Sequence, residues 1–209
     1  MHKLFIALLV VLNTSLFAQD QVAKDLLDKL SKSTKSYKNV IIDFNFMLEN
    51  KSQNINEKKT GRLELQKDKF RLVIADQTII NDGKNQWVYL ADMNEVQIME
   101  YDPENDIMNP KKLFTIYEKG YKYTYVGEET KKGKKLQIID LFPEESSSFI
   151  KVSLAVDEAQ YQLNKITILD KNGGAYTYEV TNFTTNLANL APFTFNLSNY
   201  PNVEVIDLR

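Results

Sequence analysis

The sequence predicts a mainly β protein: an antiparallel barrel or strongly curved sheet of about eleven short strands, interrupted by two helices. Three observations predict it. Apolar and polar residues alternate over most of the chain, turn-forming residues recur between the alternating runs, and helical periodicity appears only near the N terminus and once mid-chain. A length of 209 residues with no linker, repeat or low-complexity stretch is consistent with one domain holding a sizeable core.

Val22, Leu26, Leu27 and Leu30 recur at helical spacing among Lys24, Asp25, Lys29 and Lys32, which predicts an amphipathic helix over residues 21–36. The period then drops to two. Val40, Ile42, Phe44, Phe46 and Leu48 alternate with residues that include Asp43 and Asn45, the pattern of a strand with one face more apolar than the other. Leu63 and Leu65, then Phe70, Leu72 and Ile74, mark two strands joined around residues 67–69. Residues 78–80 and 86–90 flank Asp82-Gly83, a strong hairpin signal, and residues 95–99 follow as another strand.

Pro103 and Pro110 break the pattern, and residues 111–118 read as a short helix between Pro110 and Gly120. Strands resume over residues 121–126, 135–141, 149–156, 163–169 and 176–183, with turns at Gly127, Gly133, Asp157 and Asn172-Gly173-Gly174. A last apolar piece holds Phe193, Phe195, Val203, Val205 and Ile206.

Composition narrows the function. Lys+Arg 26 against Asp+Glu 28, with no basic block, argues against nucleic acid and against an anionic lipid surface. There is no cysteine, and His2 is the only histidine. Once His2 is removed with a leader, Ser-His-Asp and Cys-His schemes and the usual zinc ligand sets are excluded. The acidic stretch Asp102, Glu104, Asp106 lacks the glycine and terminal glutamate of a calcium loop and reads as a solvated turn, so no metal and no cofactor are expected. A glycosidase built on two carboxylates is the surviving enzymatic alternative, and no Asp/Glu pair stands out for it.

His2 and Lys3 precede an apolar run from Leu4 to Leu12, and Ala18 supplies a small residue for cleavage. The run is well short of the roughly 20 residues that cross a bilayer as a helix, so residues 1–18 are expected to be a secretory signal peptide and 19–209 a single mature domain. No cysteine follows the run to accept a lipid. A cysteine-free exported chain of this size points to a bacterial periplasm.

Gly61 to Lys67, read as a glycine-led strand, followed by Lys69-Phe70-Arg71, resembles the periplasmic outer-membrane lipoprotein carrier family, LolA-like proteins. Ile79 to Lys84 with Trp87 and Tyr89 is similar to the family's aspartate-glycine-lysine hairpin and its aromatic pair. Met108-Asn109-Pro110 leading into Leu113 and Phe114 resembles its proline-started helix, and residues 193–195 with 203–207 resemble its C-terminal end. In order, these cover nearly the whole mature chain.

The resemblance implies an unclosed barrel with a helical lid and a non-enzymatic chaperone that carries lipoproteins from the inner to the outer membrane. Implied partners are acylated lipoproteins and an inner-membrane ATP-driven releasing complex, with an outer-membrane acceptor left open and a monomeric carrier. Phe44, Phe46, Leu63, Leu65, Phe70, Leu72, Trp87 and Tyr89 are expected to line the lipid-binding hollow. Leu26 and Leu30 of the first helix and Leu113, Phe114 and Tyr117 of the second are expected to form the lid. Where the family carries an arginine followed by proline, thought to clasp the lid through backbone carbonyls, this chain has Lys67 and Asp68. Lysine lacks the planar fork of donors and is expected to hold a lid less firmly. The alternative to lipoprotein carriage is binding or sensing of another lipid or amphiphile.

Overall fold

A computed structural model describes residues 14–102 and 120–209, with side-chain detail from Gln21 onward. The first helix, α1, spans Thr14–Ser36. It buries Ala23, Leu26, Leu27 and Leu30 and leaves Lys24, Asp25, Asp28 and Lys29 in water. Val22, expected in the buried stripe, is 44% exposed. At about 100° per residue Ala23 falls near the centre of the arc made by the three leucines, and Val22 falls about a quarter turn from that centre, beyond the arc's edge. The Tyr37 N–H donates to the Thr34 carbonyl at 3.3 Å, and the Thr34 hydroxyl to the Leu30 carbonyl at 2.9 Å, closing the last turn.

Twelve strands follow among the described residues: β1 (Val40–Asn50), β2 (Ile55–Gln66), β3 (Lys69–Ile74), β4 (Gln77–Asn81), β5 (Asn85–Leu90), β6 (Glu95–Glu100), β7 (Tyr121–Lys131), β8 (Lys134–Pro143), β9 (Phe149–Asp157), β10 (Gln162–Asp170), β11 (Gly174–Thr185) and β12 (Glu204–Asp207). They form one sheet in the order β12-β6-β5-β4-β3-β2-β1-β11-β10-β9-β8-β7. Among the described residues the edge strands β12 and β7 do not pair, so the barrel stays unclosed. The sheet is not wholly antiparallel as expected. β12, assembled from the last apolar piece, runs parallel to β6, with Glu204 opposite Glu95 and Asp207 opposite Ile98.

β1 is the spine. It pairs along its whole length with β2 on one side and with β11 on the other. A bulge at Asp43/Phe44 sets Val180 opposite Phe44 and Asn182 opposite Asp43, leaving Thr181 as the extra residue and bending the sheet there. The alternation of β1 therefore assigns every neighbouring side chain to one of two faces. Inward, toward α1, point Val40, Ile42, Phe44 and Phe46, with Leu63 and Leu65 of β2, Leu72 of β3 and Ile166 of β10 in the same apolar cluster. Outward point Ile41, Asp43 and Asn45.

Gly61 stands opposite Phe44 on β2, and a Cβ there would clash with the tip of the Phe44 ring. The glycine is thus the floor on which that ring lies, and the overlap fixes the ring's position over the strand pair. Replacing Gly61 with alanine should lower stability by about 1–3 kcal/mol through overpacking. The loss should shrink in a Phe44→Leu background, and urea unfolding of the two single variants and the double variant measures the coupling.

Candidate functional site

The inner face is apolar from β5 across to β7. Buried Phe44, Leu63, Leu65, Phe70 and Ile79 continue into Ile139, Leu141, Val152, Leu154 and Val156, and half-buried Phe46, Leu72, Ile74, Val88, Tyr178 and Val180 lie against them. Rings interlock across the strands. Phe44 and Phe46 stand 5.7 and 5.1 Å from the Tyr178 ring, Tyr37 meets Phe183 edge-on at 6.1 Å, and Phe70 meets Tyr101 at 6.2 Å. Burial pushes the Tyr178 and Tyr121 hydroxyls above the usual tyrosine range, so both stay neutral at physiological pH.

Six residues expected to line a hollow, Phe44, Phe46, Leu63, Leu65, Phe70 and Leu72, share this face. Trp87 and Tyr89 do not. Leu72 pairs with Ile79 and Ile79 with Val88, which puts Val88 on the inner face and its neighbours Trp87 and Tyr89 on the outer one. Both faces of β5 are apolar, so alternation alone cannot choose between them. Trp87 lies in register with Ile80 and Ile98 outside the barrel, and Tyr89 meets Phe195 and Tyr200 at 5.5 and 4.5 Å.

α1 covers the other half of the inner face, lying against β7 and β10. Leu26 and Leu30, expected in a lid, are 8% and 1% exposed, and Leu27 is fully buried beside them. Polar ties also join this end of the chain to the sheet. The Ser33 hydroxyl donates to the Gln160 carbonyl at 3.4 Å, the Gln162 amide donates to the Tyr37 hydroxyl at 3.1 Å, and the Lys29 ammonium sits 5.1 Å from the Tyr161 ring centre. Leu113, Phe114 and Tyr117, with Glu104 and Asp106, lie outside the described residues.

Lys67 occupies a two-residue turn with Asp68 between the paired Gln66 and Lys69, at φ +54°. It is exposed, and it lines a cleft of about 530 Å³ between the C-terminal end of α1 and the start of β1, together with Lys35 and Lys38. The arginine that clasps is another residue. Arg71 of β3 points outward, bonds Glu64 at 2.7 Å, donates to the Pro192 carbonyl and lies 5.4 Å from the Phe193 ring centre. It thereby holds the C-terminal segment across the outside of β3 to β6. Phe195 and Tyr200 stack at 4.3 Å in the same segment, and the Asn94 amide bonds the Asn202 carbonyl at 3.0 Å. Sequence reasoning noticed Phe193 and Phe195, took Arg71 only as part of a strand motif, and did not single out Tyr200.

Elsewhere the outer face is polar. A trough of about 1140 Å³ over β1, β2 and β11 is lined by Asp43, Asn45, Lys58, Thr60, Arg62 and Glu179, among others. Among the described residues no group of three His, Cys, Asp or Glu side chains gathers to hold a metal ion, and no helix is long and apolar enough to cross a membrane.

The family model of the outer membrane lipoprotein carrier protein LolA matches residues 35–198. The chain belongs to the LolA family. An uncharacterized protein of Methanocaldococcus jannaschii is 28% identical over 152 residues, which are 70% of this chain and 43% of that relative. The chain thus spans less than half the length of the curated relative it matches. An uncharacterized conserved protein from Thermus thermophilus superposes with a TM-score of 0.56 at 14% identity, over 90% of this chain and 99% of that one. The Mycobacterium tuberculosis lipoprotein LppX gives 0.53 at 12% identity, over 82% and 100%. At those identities the likeness is one of fold. The LolA fold accounts for the open sheet with a helix on its inner face.

Arg71→Ala should release the C-terminal segment. We expect faster hydrogen exchange and proteolysis over residues 192–207, with protection of β1 and β2 retained because Glu64 keeps its 3.1 Å pair with Arg62. The expected cost is about 1–3 kcal/mol for a partly buried charged hydrogen bond.

Proposed function

We propose that this LolA-family protein is an exported, non-enzymatic chaperone that shields the acyl chains of lipoproteins on its inner face and carries them from the inner to the outer membrane. The observation that supports the reading is the inner face itself. It is continuously apolar from β5 across to β7 by the register of its side chains, and α1 covers one half of it chiefly through Leu26, Leu27 and Leu30.

The physics of carriage fits such a face. A lipoprotein anchor exposes tens of methylenes at about 0.8 kcal/mol each, so leaving it bare in water costs tens of kcal/mol. A carrier offsets only part of this, since binding free energies saturate near about −20 kcal/mol and cargo must leave again. When chains displace α1 from the sheet, one apolar contact replaces another and the net change is small, which permits reversible loading. An ATP-driven releasing complex in the inner membrane would load the carrier, and the periplasm is the compartment this route requires. Binding or sensing of another amphiphile is the competing reading, and the Lys35, Lys38 and Lys67 cleft gives it a specific basis.

The test is whether the purified mature chain keeps a triacylated lipopeptide in solution. Carriage predicts that it does and that the deacylated peptide shows no binding; equal behaviour of the two peptides would sink the reading. Leu30→Ala separates a cover from an ordinary core helix. It should destabilise the unloaded protein by about 2–5 kcal/mol and yet tighten lipopeptide binding, because helix and chain compete for one surface. A loss of both stability and affinity on calorimetric titration would mark α1 as a fixed plug.

A further inference from the structure

We infer that the cleft at the C-terminal end of α1 is a head-group site for an acyl chain ending in an anionic group, a carboxylate or a phosphate. The inference rests on the inner face being an acyl-chain surface. At about 530 Å³ the cleft has the size of a small-molecule site. Its floor is Val40 and Leu65, both members of the apolar cluster that continues to Phe44, Leu63 and Phe70. A chain entering here would therefore pass onto the inner face without crossing a polar barrier.

The rim is cationic. Lys35, Lys38 and Lys67 line the cleft, and among the described residues no carboxylate does. Among the described residues the Lys38 and Lys67 ammonium groups have no ion-pair partner. Three of the polar groups in the walls are already engaged. Thr34 bonds the Leu30 carbonyl, Tyr37 bonds Ser33 and Gln162, and Asn39 both accepts from and donates to the Leu187 backbone at 2.9 Å. They leave Lys38 and Lys67, beside the neutral Gln66 amide, as the charged groups that meet a head. The C-terminal end of α1 adds a partial negative charge, roughly half an elementary charge, which the lysines outweigh. An apolar floor under a positive rim matches an anionic amphiphile and has no use for a neutral one.

The experiment is calorimetric titration of the mature chain with palmitate, hexadecyl phosphate and hexadecanol, which share a chain and differ in the head. The anions should bind about tenfold tighter than the alcohol, as charge-assisted contacts require. The preference should weaken with salt, survive in Lys38→Arg/Lys67→Arg and disappear in Lys38→Gln/Lys67→Gln, whose side chains are exposed and leave the core untouched. Whichever anion binds tighter identifies the head the rim fits. Equal binding of anions and alcohol by the unmodified chain, or a preference that persists in the glutamine variant, overturns the inference. A neutral triacylated lipopeptide serves as a separate arm. If both the unmodified chain and the glutamine variant keep it in solution, carriage stands even when the head-group site fails; if neither does and the anion preference remains, the site stands and carriage fails.

Discussion

The double pairing of β1 is the constraint on which the rest depends. An eleven-residue strand hydrogen-bonded along both edges has no freedom of register, because a slip of one residue would carry Val40, Ile42, Phe44 and Phe46 to the outside and bring Ile41, Asp43 and Asn45 within. Phe44 adds a steric lock, since its ring needs the side-chain-free Gly61 directly opposite. Once β1 is placed, each hairpin outward from it inherits its faces, toward β6 on one side and toward β7 on the other.

Both faces of this sheet carry apolar surface, and the two are covered by different means. The outer face of β3 to β6 is covered by the C-terminal segment, held by Arg71, by the Tyr89, Phe195 and Tyr200 rings and by the backbone ladder of β12 on β6. The inner face is covered in part by α1, held by an arc of leucines and a few polar ties at its C-terminal end. Backbone pairing and charged hydrogen bonds are directional and break together, whereas contact between a helix and an apolar sheet is non-directional and is replaced without loss by any other apolar surface. This difference makes the helix, and not the tail, the cover that the proposed function requires to move.

Much of this was legible in the residues. The period-two runs located the strands, Asp82-Gly83 located the β4–β5 hairpin, and the leucine spacing located α1. The failures share a cause. Trp87 and Tyr89 alternate correctly but on a strand whose two sides are equally apolar, so their face follows from pairing passed through β3 and β4 and not from their own pattern. Val22 is as hydrophobic as its neighbours and is exposed because the sheet meets the helix on the Ala23 side. Arg71 looked like one more strand cation, since its partners Pro192 and Phe193 lie more than a hundred residues away.

By itself the sequence determined the class of the fold, the absence of thiol and of any imidazole beyond His2, and which residues alternate, because these depend on composition and on neighbours along the chain. Tertiary structure decided which apolar surface is the inside, what covers each face, and where Lys35, Lys38 and Lys67 converge. Those outcomes turn on strand register and on contacts between distant segments, and a strand with two greasy sides takes its orientation only from the partner it is hydrogen-bonded to.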